Sequence, residues 1–309
     1  MFRSTPLVRS DPLSDRLGAE VWLKLENLQP SGSFKLRGMG VASQRAVANG
    51  ARRLVIASGG NAGLAVAWAG RALRVPVTVV VPLTTATPRR ELLRALGAEV
   101  EVEGAAWDEA QARAAVVAKQ QRGVLLHPFD DPVVWEGHAT LVAECAAELA
   151  EPPGTVVVAV GGGGLLCGVL QGMHAAGWTN VQVVAAETEG AASYAAALAA
   201  GEPVTLPAIT SIATTLGAKR VCDRAVRWAK EHPIRSALCT DAEAVAACRR
   251  FADDHRFLVE PACGAALAVL PGIRTPGPIL VIVCGGAGVT LAELDAWTRL
   301  PGTPRAGVP

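Results

Sequence analysis

Thr155-Val156-Val157-Val158-Ala159-Val160-Gly161-Gly162-Gly163-Gly164-Leu165-Leu166 is the stretch that decides the fold. From Thr155 to Val160 the chain is a continuous β-forming run with no polar alternation. Such a strand is covered on both faces, the usual condition of a parallel strand between helices. Four glycines then lead into a helical pattern over 165–176. The same order of strand, glycines and helix recurs on either side. Arg53 to Ala57 reads as a buried strand, and the helix predicted over 61–73 carries Leu64, Ala67, Trp68 and Ala72 at i, i+3, i+4 and i+8. Further strands are expected over 76–81, 100–102 and 124–127, with helices over 87–96 and 107–121. A second series begins near Pro132, with strands over 155–160, 181–186 and 279–284. Its helices are expected over 133–149, 165–176, 191–200, 218–230, 242–255 and 290–300. Alternating units with apolar strands predict an α/β fold of two mostly parallel sheets covered by helices.

Composition narrows the function classes. Half of the 309 residues are hydrophobic and 18% are charged, too apolar for a disordered chain. Lys plus Arg is 29 and Asp plus Glu is 28, so there is no basic surplus for a nucleic-acid or anionic-membrane partner. No apolar run approaches the ~20 residues of a membrane span. Met1 to Pro6 has no apolar signal-peptide core. The cysteines at 145, 167, 222, 239, 248, 263 and 284 make no CxxC pair, which argues against a zinc site or a disulfide framework and for a reduced, cytoplasmic protein. Only five basic residues are lysines, at 24, 35, 119, 219 and 230. Codon bias accounts for the arginine excess but not for lysine at those positions.

Four motifs carry chemistry. Ser31-Gly32-Ser33-Phe34-Lys35-Leu36-Arg37-Gly38 is a small-residue turn entering a helix with lysine in its first turn. The positive end of the helix dipole disfavours a charged amine there, and a lowered amine pKa suits a nucleophile. An exposed lysine on a solvated helix is the plainer account of that motif alone. Ser58-Gly59-Gly60-Asn61-Ala62-Gly63 follows a strand and opens a helix, where free N–H groups suit an anion such as a carboxylate; an ordinary strand-to-helix turn explains it equally well. Gly161 to Gly164 offer backbone N–H groups to a phosphate. Their spacing is not GxGxxG and no Lys-Ser/Thr follows, which argues against a dinucleotide oxidoreductase and a Walker loop. Cys284-Gly285-Gly286-Ala287-Gly288 again follows a strand. Buried hydrophobe-like packing is the ordinary role of such a cysteine.

In combination the motifs resemble one family in order and spacing, the fold-type II pyridoxal-phosphate enzymes. The resemblance is strongest to the catabolic L-serine dehydratase/L-threonine deaminase group. Pro128-Phe129-Asp130-Asp131-Pro132 with Trp135-Glu136-Gly137-His138-Ala139, Val160 to Gly168, and Val259 to Ala268 extend it over nearly the whole chain. It implies a two-domain fold like that of the tryptophan synthase β chain, with a large cofactor-binding domain of residues 1–35 and 133–309 and a small closing domain of residues 36–132. It also implies a small amino-acid substrate, a homodimer, and no nucleic-acid or membrane partner.

Roles follow from the resemblance residue by residue. Lys35 matches the Schiff-base lysine, which also acts as general base, and Phe34 the aromatic residue beside the pyridine ring. Asn61 matches the residue bonding the ring hydroxyl, Cys284 the Ser or Cys facing the ring nitrogen, and Gly161, Gly162, Gly163, Gly164 and Leu165 the phosphate loop. Ser58, Gly59, Asn61 and Ala62 match the loop that holds the substrate carboxylate, with Ser58 counted among the catalytic residues. Glu187, Ala191, Ser193, Leu216 and Ala218 match the ligands of a monovalent cation, with potassium the candidate.

The departures are specific. Thr215 stands where an alanine often packs on the other ring face, and Ala287-Gly288 replaces a Ser-Asn pair. Gly59 occupies the place of the second catalytic serine of racemases. No C-terminal regulatory domain of the kind found in biosynthetic threonine deaminases is expected after the last motif, Cys284 to Gly288. The expected activity is β-elimination from L-serine to pyruvate and ammonia and from L-threonine to 2-oxobutyrate and ammonia. The alternatives are a serine racemase, a β-replacing synthase, or a catalytically weak cofactor-binding homologue.

Overall fold

The run from Thr155 forms a strand whose five residues, Thr155–Ala159, are all buried, with a parallel neighbour on each side. In the computed structural model, which describes residues 1–299, the elements run β1 (Leu7–Arg9), α1 (Asp11–Leu17), β2 (Val21–Lys24), α2 (Lys35–Ala48), β3 (Leu54–Ala57), α3 (Asn61–Leu73), β4 (Val77–Val81) and α4 (Thr87–Ala95). They continue β5 (Glu99–Val102), α5 (Trp107–Gln120), β6 (Val124–Leu126), α6 (Pro132–Glu148), β7 (Thr155–Ala159), α7 (Gly164–Ala175), β8 (Gln182–Thr188) and α8 (Ser193–Ala200). The last are α9 (Asp223–Trp228), β9 (Ile234–Cys239), α10 (Asp241–His255), α11 (Pro261–Ala268), β10 (Ile279–Ile282) and α12 (Leu291–Trp297).

Two sheets result. The six-stranded sheet has the order β1-β2-β10-β7-β8-β9 and the four-stranded sheet the order β5-β4-β3-β6. Every pairing is parallel except β1 with β2. The strand run of β10, Ile-Leu-Val-Ile, is wholly buried because β2 and β7 flank it and helices cover its faces. Each sheet has its own apolar cluster, one centred on Val156–Val160 and Val183–Ala186, the other on Leu54, Ile56, Val77 and Val79.

Three expected elements are altered. The helix predicted over 218–230 is confined to Asp223–Trp228, because the segment before it is used elsewhere: Cys222 N–H donates to Gly162 O at 3.0 Å. The strand predicted over 279–284 ends at Ile282, and Cys284 O turns to accept Phe34 N–H at 2.9 Å. The final helix spans Leu291–Trp297; its predicted end at Leu300 lies outside the described residues. Elements β1, α1, β2, β9 and α11 have no counterpart in the sequence reading. Among the described residues no helix is long and apolar enough to cross a membrane.

Candidate active site

Because β2, β10 and β7 are adjacent and parallel, their carboxyl ends lie on one edge of the sheet. Ligands of open α/β sheets bind at that edge. Each of these ends carries one of the glycine- and serine-rich motifs: Ser31–Lys35 after β2, Cys284–Gly288 after β10, and Gly161–Gly164 after β7. The strand ends of the smaller sheet add Ser58–Ala62 after β3 and His127–Phe129 after β6.

Lys35 is the first residue of α2, and no side chain caps that helix. Its Nζ donates to Pro128 O at 2.7 Å. Burial lowers its pKa from 10.5 to about 8, partly offset by the negative charge of Glu260. Phe34 packs beneath it, 4.8 Å from the His138 ring, and its main chain is fixed by the bridge between Ser33 and Gly285. His138 is buried, and its Nδ1 accepts Gly38 N–H at 3.2 Å. Burial, with Lys35 and Arg37 nearby, holds the imidazole well below its usual pKa, so it is neutral.

The start of α2 is anchored by charge two residues on. Arg37 is fully buried; its Nε and Nη2 each donate to Glu26 at 2.8 Å, and its Nη1 and Nη2 each donate to Glu144 at 2.6 Å. Lys24, also fully buried, joins the cluster through Glu144 at 2.7 Å. Leaving one partner of such a buried group alone costs about 3–5 kcal/mol. The helix bearing Lys35 is therefore held rigidly.

The tetraglycine turn is shaped by what lies behind it. Gly163 has φ +90°, the left-handed region that glycine adopts without strain, and its N–H groups lead directly into α7. A Cβ on Gly162 would lie 2.5 Å from the Phe129 ring, so the backbone presses against that side chain. Pro128, the residue before Phe129, is the one that accepts from Lys35. The amine and the glycine turn thus share one supporting segment.

In the turn after β3, Ser58 Oγ accepts Gly60 N–H at 3.3 Å, and Asn61 and Ala62 are buried in the first turn of α3. Asn61 Nδ2 donates to Glu260 Oε1 at 2.7 Å, while Asn61 Oδ1 is buried with no partner. Thr215 Oγ1 donates to the same Glu260 oxygen at 2.9 Å. Cys284 is buried; the neighbouring Cys263 and burial push its thiol pKa well up, so it is a neutral thiol.

Of the expected cation ligands, Glu187, Ala191, Ser193 and Leu216 are buried. The Glu187 carboxylate accepts Tyr194 and Ala195 N–H, each at 2.8 Å, and burial nevertheless raises its pKa to about 7. Ser193 Oγ is buried without a partner. A Cβ on Gly161 would lie 3.1 Å from Leu216 Cα, so Leu216 backs the tetraglycine turn; Ala218 lies two residues further on and is partly exposed.

Glu260, Pro128 and His138 were not among the candidate site residues. Pro128 acts through its main-chain oxygen, which no side-chain pattern reveals. The signal for Glu260 was a single acid in the otherwise uncharged run Val259–Ala268, directly before a helix-starting proline.

A buried amine, a glycine turn suited to an anion and an adjacent helix N-terminus together have the make-up of a site for an anionic cofactor at the edge of an open α/β sheet. The chain belongs to the pyridoxal-phosphate-dependent enzymes, whose family model matches residues 1–285. It is 48% identical over 305 residues to the human L-serine dehydratase/L-threonine deaminase, covering 94% of this chain and 93% of that one. It is also 48% identical over 305 residues to a mouse serine dehydratase-like protein, covering 95% and 93%. The crystal structure of an L-serine ammonia-lyase from the fungus Rhizomucor miehei superposes with a TM-score of 0.91 at 34% identity, covering 96% of this chain and 98% of that one.

The residues present fit pyridoxal phosphate. The glycine turn is a cradle that side chains would fill at Gly162, the buried Oδ1 of Asn61 lacks a partner, and burial lowers the Lys35 amine's pKa to about 8.

Proposed function

We propose that the chain is an L-serine/L-threonine ammonia-lyase, releasing pyruvate or 2-oxobutyrate with ammonia. The observation that carries elimination over racemisation is at Gly59. A Cβ there would lie 2.7 Å from Thr85 Cγ2 and 3.0 Å from Thr85 Oγ1. The wall facing that position is already filled, and neither residue supplies a second base. Lys35 is then the one amine poised for proton transfer.

In this reading Lys35 would carry the cofactor, with Phe34 and Thr215 beside its ring and Asn61 at the ring hydroxyl. Cys284 would meet the ring nitrogen, and Gly161 to Gly164 with Leu165 would hold the phosphate. Bound pyridoxal phosphate supplies an electron sink for charge developing at the substrate α-carbon. The free Lys35 amine takes the α-proton, a task suited to a base whose pKa is about 8. The turn at Ser58 and Gly59 and the start of α3 at Asn61 and Ala62 bind the substrate carboxylate. Residues 36–132 close over residues 1–35 and 133–309 and exclude water. A potassium-type cation would be held by Glu187, Ala191, Ser193, Leu216 and Ala218; the buried, unpartnered Ser193 hydroxyl and the buried Glu187 carboxylate support it. Seven free, buried cysteines support a reducing compartment, the cytoplasm, and the family resemblance supports a homodimer.

Steady-state kinetics with L-serine, D-serine and L-threonine, in potassium and in sodium, test this. Keto-acid release from both L-amino acids is expected, faster in potassium, with little D-serine formed from L-serine. D-serine accumulating as fast as pyruvate would reject the assignment. Equal rates in both salts would remove the cation.

Cys284 gives a second test. Cys284→Ser keeps a neutral hydrogen-bonding group, and its rate is expected within a few-fold of the native enzyme. Cys284→Asp places a carboxylate at the ring nitrogen and favours its protonation. Elimination is then expected to fall roughly a hundredfold, with an altered visible spectrum of the folded protein. Folded Ser and Asp variants with native spectra and rates would place Cys284 away from the cofactor.

A further inference from the structure

We propose that Glu260 is a positioning residue that sets how Asn61 and Thr215 face the cofactor ring. The inference rests on the reading of those two residues as ring contacts given above.

Glu260 precedes α11 as its N-cap but makes no side-chain bond to that helix. It is only 2% exposed, and its carboxylate is bonded on both oxygens. Oε1 accepts Asn61 Nδ2 at 2.7 Å and Thr215 Oγ1 at 2.9 Å; Oε2 accepts Gly288 N–H at 2.8 Å. The three donors come from the start of α3, the turn before α9 and the loop after β10. Two glycines make room for the group. A Cβ on Gly288 would lie 2.1 Å from Oε2, and one on Gly285 3.5 Å from Oε1.

A carboxylate only accepts, so it selects between the two faces of the Asn61 amide. With Nδ2 turned to Glu260, Oδ1 is left as the buried, unpartnered atom. The same acceptor consumes the Thr215 hydroxyl. Thr215 Cγ2 then lies 3.8 Å from a Cβ built on Gly60, so the methyl faces the Ser58–Ala62 turn. This explains how a threonine stands in an alanine's place: its polar branch is tied back. A glutamine at 260 would bring an NH2 group against either the Gly288 N–H or the Asn61 and Thr215 donors.

The test is the affinity of the apoprotein for pyridoxal phosphate, read by fluorescence titration independently of turnover, with circular dichroism as the check on folding. Glu260→Gln is expected to weaken binding roughly tenfold or more. Gly288→Ala, which drives a methyl into the carboxylate while leaving Glu260 in the chain, is expected to do the same and decides the matter if Glu260→Gln fails to fold. Thr215→Val is expected to show a smaller loss. In an Asn61→Ala background Glu260→Gln is expected to add less than about threefold, because its effect runs through Asn61. Native affinity in both Glu260→Gln and Gly288→Ala, or losses that multiply in the double variant, would overturn the proposal. If Asn61→Ala and Thr215→Val themselves leave affinity unchanged, the ring-contact reading fails first, and the positioning role with it. A loss in Asn61→Ala with none in Glu260→Gln defeats the positioning role alone.

Discussion

Replacing Lys35 by alanine is expected to abolish covalent attachment of the cofactor and to lower ammonia release by at least roughly a thousandfold. No other lysine is placed to substitute. Lys24 is buried in an ion cluster with Glu144, and Lys119, Lys219 and Lys230 lie outside the strand-end motifs. Borohydride reduction of the native enzyme followed by peptide mapping should place the cofactor on Lys35; a label on any other lysine would sink the assignment. The pH dependence follows from the sign of the shift. The folded amine loses its proton near pH 8 rather than 10.5. The apoprotein's rate of cofactor capture should therefore rise through pH 8 and level off above it. In the unfolded chain Lys35 holds its proton up to its ordinary pKa. Between the two values the folded state binds fewer protons, so this group favours folding more as pH rises through that window.

Gly162→Asp is expected to reduce cofactor affinity by roughly a hundredfold or more while the protein stays folded. Two effects add. The new Cβ starts 2.5 Å from the Phe129 ring, which must move, and Phe129 belongs to the segment that receives the Lys35 hydrogen bond. The carboxylate also brings negative charge to the turn where backbone N–H groups and the start of α7 favour an anion. Gly162→Ala separates them, since it keeps the steric change without the charge and should lose less. A folded Gly162→Asp protein that binds pyridoxal phosphate with native affinity would remove the turn from the site.

The parts of this site that could be read in the sequence are those where local chemistry is unusual. Four glycines after a β-branched run, and a lysine at a helix start, are costly locally and so point to a ligand. The hidden parts depend on distant partners. Lys24 sits inside a strand because Glu144, remote in sequence, neutralises it. Glu260 looks like a helix cap and instead serves donors from three other segments. Strand β9 escapes notice because it is a half-exposed edge with polar interruptions. The helix expected over 218–230 was cut short by tertiary demand, since its first residues underlie the glycine turn rather than extend α9.

The position of β10 has a consequence for the order in which the chain assembles. The smaller sheet is contiguous in sequence, from Leu54 to Leu126, and its pairings close as soon as those residues exist. The larger sheet is not. Its strand Ile279–Ile282 is, among the described residues, the last in chain order, yet it separates β2 from β7. Pairing β10 with β2 spans most of the chain, the kind of long-range contact that forms slowly. On a ribosome the smaller sheet can be complete while β2 and β7 still present bare edges. The strand that seals those edges also delivers Cys284 and its glycines, so the larger sheet and the cofactor pocket are finished in one event, once residues 279–288 are available.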